Sequence, residues 1–235
     1  MQTRSIRKLG VVIFLLAVFL GLGLTFAAIW SAFEGFSYFN TGAGYPSFGG
    51  LKCPILMTRS EKGMVTASFN NPAGQELDPY YEVAVSGPYS SHNFEGQLSL
   101  PAHTTKSIQW TVDAEDIDLG NFIFVDLQVL PVAGYSTRED TCGIMVLDIA
   151  GSSGGQLFNI SLAVSLIGLL LGLGLWESTI NINIDRYINL RRALGIMVLL
   201  ALLTGIMRLW AAGLIFSILA ILLLVINLRL FIEGR

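Results

Sequence analysis

A chain of 235 residues with 53% hydrophobic and only 13% charged side chains, at a mean hydropathy of +0.63, is too apolar for an ordinary soluble domain, which carries about 25% charge. Its net charge of -3 hides a division: residues 31–156 hold fourteen carboxylates against Lys52, Arg59, Lys62, Lys106 and Arg138, a local balance of -9, whereas the remainder sets nine cations against Glu177, Asp185 and Glu233. The acidic part lacks the basic footprint that nucleic-acid binding requires, which excludes that class.

The first element is an uncharged run from Leu9 to Trp30, long enough as a helix to cross a hydrocarbon core of ~30 Å. The alternative is a cleaved signal peptide, with Arg4, Arg7 and Lys8 as its basic start and Thr25-Phe26-Ala27 near the cut. The run exceeds the usual apolar length of a signal, and on either reading the next domain lies outside the cytoplasm. We assign residues 1–32 to a cytoplasmic tail plus transmembrane helix one, and 33–52 to a juxtamembrane linker. The stretch between Trp30 and Phe48 is dense in aromatics: Phe33, Phe36, Tyr38, Phe39, Tyr45 and Phe48. They read as an interfacial belt or packing under the next domain, or as a docking site for another membrane subunit.

Residues 53–150 carry seven short segments of alternating, β-branched or aromatic residues, divided by turn-forming Gly, Pro, Asn and Asp, the pattern of an all-β sandwich. They are Ile55–Thr58, Met64–Asn70, Tyr81–Ser86, Phe94–Leu100, Ser107–Val112, Phe122–Leu130 and Gly143–Ile149. In the sixth, the two-residue period of a strand puts Ile123, Val125, Leu127 and Val129 on one face, the core face, with Trp110, Phe69 and Met145 as packing partners. Phe69-Asn70-Asn71-Pro72, Leu100-Pro101-Ala102-His103-Thr104-Thr105-Lys106, Trp110-Thr111-Val112 and Gly120-Asn121-Phe122-Ile123 resemble the adhesion-type immunoglobulin-like sandwiches of prokaryotic envelope proteins. The resemblance covers about Met64 to Leu130 and implies a fold that binds or spaces other molecules more than it implies a reaction.

The two cysteines, Cys53 and Cys142, stand before the first predicted segment and at the start of the last, in a compartment that permits oxidation, so they are expected to pair. A redox or metal role is the competing reading, for which no second pair or nearby histidine supplies further ligands. Asp113, Glu115, Asp116 and Asp118 form the densest carboxylate cluster. They read as a solvated acidic connection or, alternatively, as a calcium loop, although the spacing is not that of an EF-hand. His92 and His103 are expected on exposed loops, and no nucleophile motif accompanies them. No catalytic site and no confident metal site are expected.

Residues 151–178 comprise a flexible Gly151-Ser152-Ser153-Gly154-Gly155 joint and transmembrane helix two, where Gly168 and Gly172, with Gly174 nearby, form a small-residue face for close helix packing. A cytoplasmic loop follows over 179–192, containing Arg186, Arg191 and Arg192 beside Glu177 and Asp185. Residues 193–235 form a hairpin of transmembrane helices three and four that turns at Arg208 and Trp210. The final Ile232-Glu233-Gly234-Arg235 is read as a natural tail or as a protease-site scar. With both termini cytoplasmic, eight of the nine cations outside 31–156 fall on the inner side, satisfying the positive-inside rule.

The expected architecture is thus an α-helical membrane bundle of four transmembrane helices, with an extracytoplasmic all-β, immunoglobulin-like sandwich inserted between helices one and two. The expected function is a non-enzymatic membrane protein whose outer sandwich binds or positions a partner such as an envelope protein. The alternative is an accessory or assembly subunit of a larger membrane complex. A transporter, disfavoured by the absence of ionisable residues mid-span, or a membrane enzyme using Glu177, Asp185 and Arg186, follows behind.

Overall fold

The computed structural model describes residues 2–40, 50–131, 137–178 and 188–233. In chain order the elements are α1 (Gln2–Tyr38), β1 (Leu51–Lys52), β2 (Leu56–Thr58), β3 (Gly63–Asn70), β4 (Tyr80–Val85), β5 (His92–Gln97), β6 (Thr105–Val112), β7 (Phe122–Val129), β8 (Arg138–Leu147), α2 (Gly154–Ser178), α3 (Ile188–Ile206) and α4 (Trp210–Glu233). The chain divides into two units, Met1–Ile29 with Phe158–Arg235, and Trp30–Leu157.

The first unit contains four helices long and apolar enough to cross a membrane. Leu16, Phe19, Ile160, Leu170, Ile215 and Leu222 face outward, an arrangement that water disfavours and a lipid phase does not. Between the helices, small residues let backbones approach. A side-chain carbon on Gly172 would meet the backbone of Phe14, one on Gly168 would meet Ala17 Cβ at 2.8 Å, and one on Gly10 would meet the backbone of Trp176. Ser165 Oγ donates to the Ala17 carbonyl at 3.0 Å, so a buried hydroxyl on α2 is satisfied by α1. The predicted small-residue face of α2 is therefore spent on α1 of the same chain. The α3–α4 turn lies at Met207–Leu209, with Arg208 at φ 58°. The loop expected over 179–192 is shorter than that, because α3 already begins at Ile188. Arg191 is buried with its guanidinium 4.5 Å from the Trp176 ring, and Arg192 makes a two-pronged bond to Glu177 at 2.8 and 3.0 Å. Paired in this way, both arginines continue a helix rather than a solvated loop. Asp185 and Arg186 lie outside the described residues, as do Gly234 and Arg235.

In the second unit a three-stranded sheet (β1-β3-β6) and a five-stranded sheet (β2-β8-β7-β4-β5) enclose one core. The first contributes Leu51, Val65, Ala67 and Phe69; the second contributes Val83, Val85, Ile123, Val125, Leu127, Val129 and Ile144. The core face of β7 is the expected one, Ile123, Val125, Leu127 and Val129, and Trp110 is partly buried against the core. Met145 is not in it: it stands opposite Phe122 on the outer face of the five-stranded sheet, one residue out of phase with the buried Ile144 and Val146. The sandwich also begins before residue 53, since Leu51 and Lys52 pair antiparallel with Ala67 and Thr66. The chain then changes sheets, and β2 pairs in parallel with Met145, Val146 and Leu147 of β8.

Two helix ends belong to this unit. The linker expected over 33–52 is helical as far as Tyr38, because the last turns of α1 lie on the outer face of the five-stranded sheet. Ser31 is 1% exposed, Gly35 rests against the backbone of Cys142 and Gly143, and the Tyr38 ring stacks on Phe124 with centroids 4.7 Å apart. At the other junction, the joint expected to be flexible is tied down. Gly154 has no room for a side chain against the backbone of Leu56 and Met57, and its N–H donates to both carboxylate oxygens of Glu61 at 2.9 and 3.0 Å. Thr58 N–H donates to the same carboxylate at 3.0 Å, and Thr58 Oγ1 donates to the Ser152 carbonyl at 3.1 Å. A carboxylate on a helix N-terminus is stabilising both as a cap and through the helix dipole, so Glu61→Ala is expected to cost about 1–2 kcal/mol. Glu61→Gln should lose less. Equal thermal unfolding of the alanine variant and the parent would show that the carboxylate does not hold this joint.

Candidate functional site

The β4–β5 hairpin loop and the segment after β6 meet around a polar groove of about 480 Å³, lined by Gly87, Pro88, Tyr89, Ser90, His92, Thr111, Asp113, Glu115 and Asp116. Residues Ala114–Asp116 form a single 3-10 turn closed by a reciprocal cap. Asp113 Oδ1 accepts from Glu115 N–H at 3.0 Å, and Asp116 Oδ2 accepts from Asp113 N–H at 2.8 Å. The turn is anchored from beneath by buried Ser86. Its hydroxyl donates to the Asp116 carbonyl at 2.7 Å and accepts from Phe124 N–H at 2.8 Å, linking the groove floor to β7.

Asp116 is 6% exposed, and burial raises its carboxyl above the usual range, opposed by the Asp113 backbone and by His92. His92 Nε2 lies 3.2 Å from Asp116 Oδ1, and Lys62 Nζ lies 3.5 Å from Asp113 Oδ2. Two of the three carboxylates are thus partly compensated, and the groove presents acceptors, the Ser90 and Thr111 hydroxyls, and one aromatic ring. That ring, Tyr89, is 99% exposed. Gly87 lets the loop turn tightly enough to present it, since a side-chain carbon there would meet the Ser90 carbonyl at 2.7 Å. An Asp-oriented histidine is one half of a hydrolytic dyad, but among the described residues no hydrogen bond joins a nucleophile to His92.

Three of the carboxylates expected to form a solvated acidic connection or, alternatively, a calcium loop make hydrogen bonds of their own. Asp113 and Asp116 cap their own turn, and Asp118 is used elsewhere, accepting from Tyr38 Oη at 2.7 Å and from Leu119 N–H at 2.6 Å. Among the described residues no three His, Cys, Asp or Glu side chains are grouped to hold a metal ion. Nor is the segment a plain solvated connection, because Asp116 is buried. His92, expected on a loop, opens β5 and reaches Asp116 across the groove; His103 does lie in a loop, at φ 57°. Cys53 and Cys142 are bonded, with Cα atoms 6.5 Å apart. Of the aromatic set, Phe33 and Phe36 are half-exposed, at 48% and 50%, while Tyr38 packs on Phe124 and edge-on against Phe39. Tyr45 and Phe48 lie outside the described residues. Sequence reading passed over Tyr89, Ser90 and Thr111, although Gly87-Pro88-Tyr89 between two strand patterns does mark a turn carrying an aromatic residue.

No family model matches this chain, and no curated protein does. Among solved structures it is similar to the CARDB domain of a Pyrococcus furiosus protein, determined in complex with di-metal ions, at 13% identity over 42% of this chain and 90% of that one, with a TM-score of 0.32. It is also similar to a beta-glucuronidase of Bacteroides uniformis, at 8% identity over 41% of this chain and 12% of that enzyme, TM-score 0.32. A cycloisomaltooligosaccharide glucanotransferase of Paenibacillus sp. follows at 9% identity over 45% and 14%, TM-score 0.32. Likeness at this level assigns no activity, ligand or partner to the chain.

Proposed function

We propose that this is a non-enzymatic integral membrane protein whose β-sandwich stands outside the cytoplasm and binds a partner through the groove between the β4–β5 loop and the turn at Asp116. The observation that carries this reading is Tyr89, an aromatic ring left 99% exposed at the lip of a polar groove whose other walls are braced by hydrogen bonds. Exposed aromatic side chains over satisfied polar groups are typical anchors of recognition surfaces. The acidic lining suits a partner that donates hydrogen bonds or carries positive charge, and it repels phosphates. The strand orders β1-β3-β6 and β2-β8-β7-β4-β5 agree with an immunoglobulin-like Greek-key sandwich, a fold that presents loops at its ends. The four helices serve as the anchor, with both termini on the cytoplasmic side by the positive-inside rule.

The second reading, a subunit of a larger membrane complex, is favoured by Trp30, Phe33 and Phe36, which are 42%, 48% and 50% exposed along the end of α1. The two separate by mutation in the full-length protein purified from its native membrane in mild detergent. Tyr89→Ala is expected to lower recovery of a stoichiometric partner tenfold or more, about 1.4 kcal/mol, with unchanged thermal stability. If recovery survives Tyr89→Ala and is lost in Phe33→Ser with Phe36→Ser, the groove is not the site and the subunit reading replaces it.

A further inference from the structure

Strand β7 is covered on both faces. Opposite its core-facing residues, Phe124 is fully buried and Asp126 is 5% exposed. A carboxylate enclosed mid-sheet needs a counter-charge or a full set of donors, yet Asp126 Oδ1 has no hydrogen-bond partner. Its ladder neighbours bring no positive charge, being Ala84 on β4 and Thr141 on β8. The next pair on the same face is Gln128 and Glu139, bonded through Gln128 Nε2 at 3.0 Å, with Glu82 of β4 opposite Gln128. Asp140 adds a further negative charge, and Arg138, the cation of β8, stands opposite the core-facing Val129. From the last turns of α1 the titratable groups are Glu34 and Tyr38. Burial first, and then Glu139, push the Asp126 carboxyl up to about 7, with Gln128 and the Leu127 backbone acting in the opposite direction.

In the other direction along the same face stand Phe124 and, opposite it, Gly143, the two positions on which the end of α1 rests through Tyr38, Ser31 and Gly35. We propose that Asp126 is a proton-responsive latch: uncharged, it lets the outer face of β7 and β8 close against the end of α1, and ionised, it loosens that contact. The sandwich would then sense acidification in the compartment it occupies, a function separate from the groove. A carboxyl whose folded value lies above its unfolded one stabilises the fold most at low pH. That contribution is complete below the ordinary value of 3.8 and is lost as pH rises towards about 7.

The test uses the full-length chain in detergent micelles. Between pH 5 and pH 8 the folding equilibrium of the sandwich is expected to fall on the order of a hundredfold more in the parent than in Asp126→Asn; the difference between the two proteins cancels the histidines. Hydrogen exchange should show protection of β7, β8 and Ser31–Tyr38 declining with pH in the parent and not in the variant. Equal pH slopes would overturn the proposal, as would pH-insensitive protection of Ser31–Tyr38 in the parent. Should Asp126→Asn fail to fold, carboxyl-carbon NMR of the parent decides. An Asp126 midpoint near 7, lowered by Glu139→Gln, supports the latch, and a midpoint below 5 refutes it.

Discussion

Replacing Cys53 and Cys142 together by serine is expected to cost the sandwich about 4.5 kcal/mol, a third or more of the stability of an ordinary domain. The bond closes a loop spanning a sequence separation of 89, and the loop-closure entropy it removes from the unfolded chain grows slowly with that length. Its position adds a local consequence. Cys53 lies where the chain leaves β1 in one sheet to enter β2 in the other, and β2 is held by only three residue pairs to β8. Without the bond, β2 should fray first, and with it the seat of Gly154 at the start of α2. Denaturant unfolding in micelles, read by near-ultraviolet circular dichroism, measures the loss. Replacing both cysteines avoids leaving a free thiol, and Cys142 is 2% exposed, so reductant would act slowly on the folded parent. An unfolding free energy within 1 kcal/mol of the parent's would contradict this account.

Gly143→Val is the second large effect. Gly143 lies in β8 with an ordinary strand backbone, so conformational freedom is not what requires glycine there. Space is: the first side-chain carbon would run into the carbonyl of Ser31. That obstacle is helix backbone, which cannot turn aside as a flexible side chain can. The expected cost exceeds the ~1–3 kcal/mol of ordinary overpacking. The expected structural result is a helix end lifted off the sheet, with the Tyr38–Phe124 stack and the Tyr38–Asp118 hydrogen bond lost. Gly23→Val is the control within α1, since nothing lies within 4 Å of a side-chain carbon there. If the two valine variants unfold alike and Ser31–Tyr38 keeps its exchange protection in Gly143→Val, the close approach does not hold the helix end.

Much of this architecture was legible in the residues. Segments β2, β3, β4, β6 and β7 were readable to within two residues, and β8 to within five, because alternation and turn chemistry are local properties of the chain. The four apolar helices were equally plain, since their hydropathy needs no partner to declare itself. What escaped is what depends on a partner. β1 is too short to carry a period, and only pairing with β3 makes it a strand. Glu34 and Gly35 look like the start of a linker, yet α1 runs through them because Ser31 and Gly35 find a sheet to rest on. Of the groove, the acidic residues were visible as a cluster, but not their use.

The order of elements, the charge division and the core face of β7 were thus determined by the sequence alone, through the periods of helix and strand and the cost of leaving apolar surface in water. The pairing of His92 with Asp116 and the enclosure of Asp126 were decided only by tertiary structure. A side chain's neighbours across a sheet come from distant parts of the chain, and those neighbours set its burial and its charge.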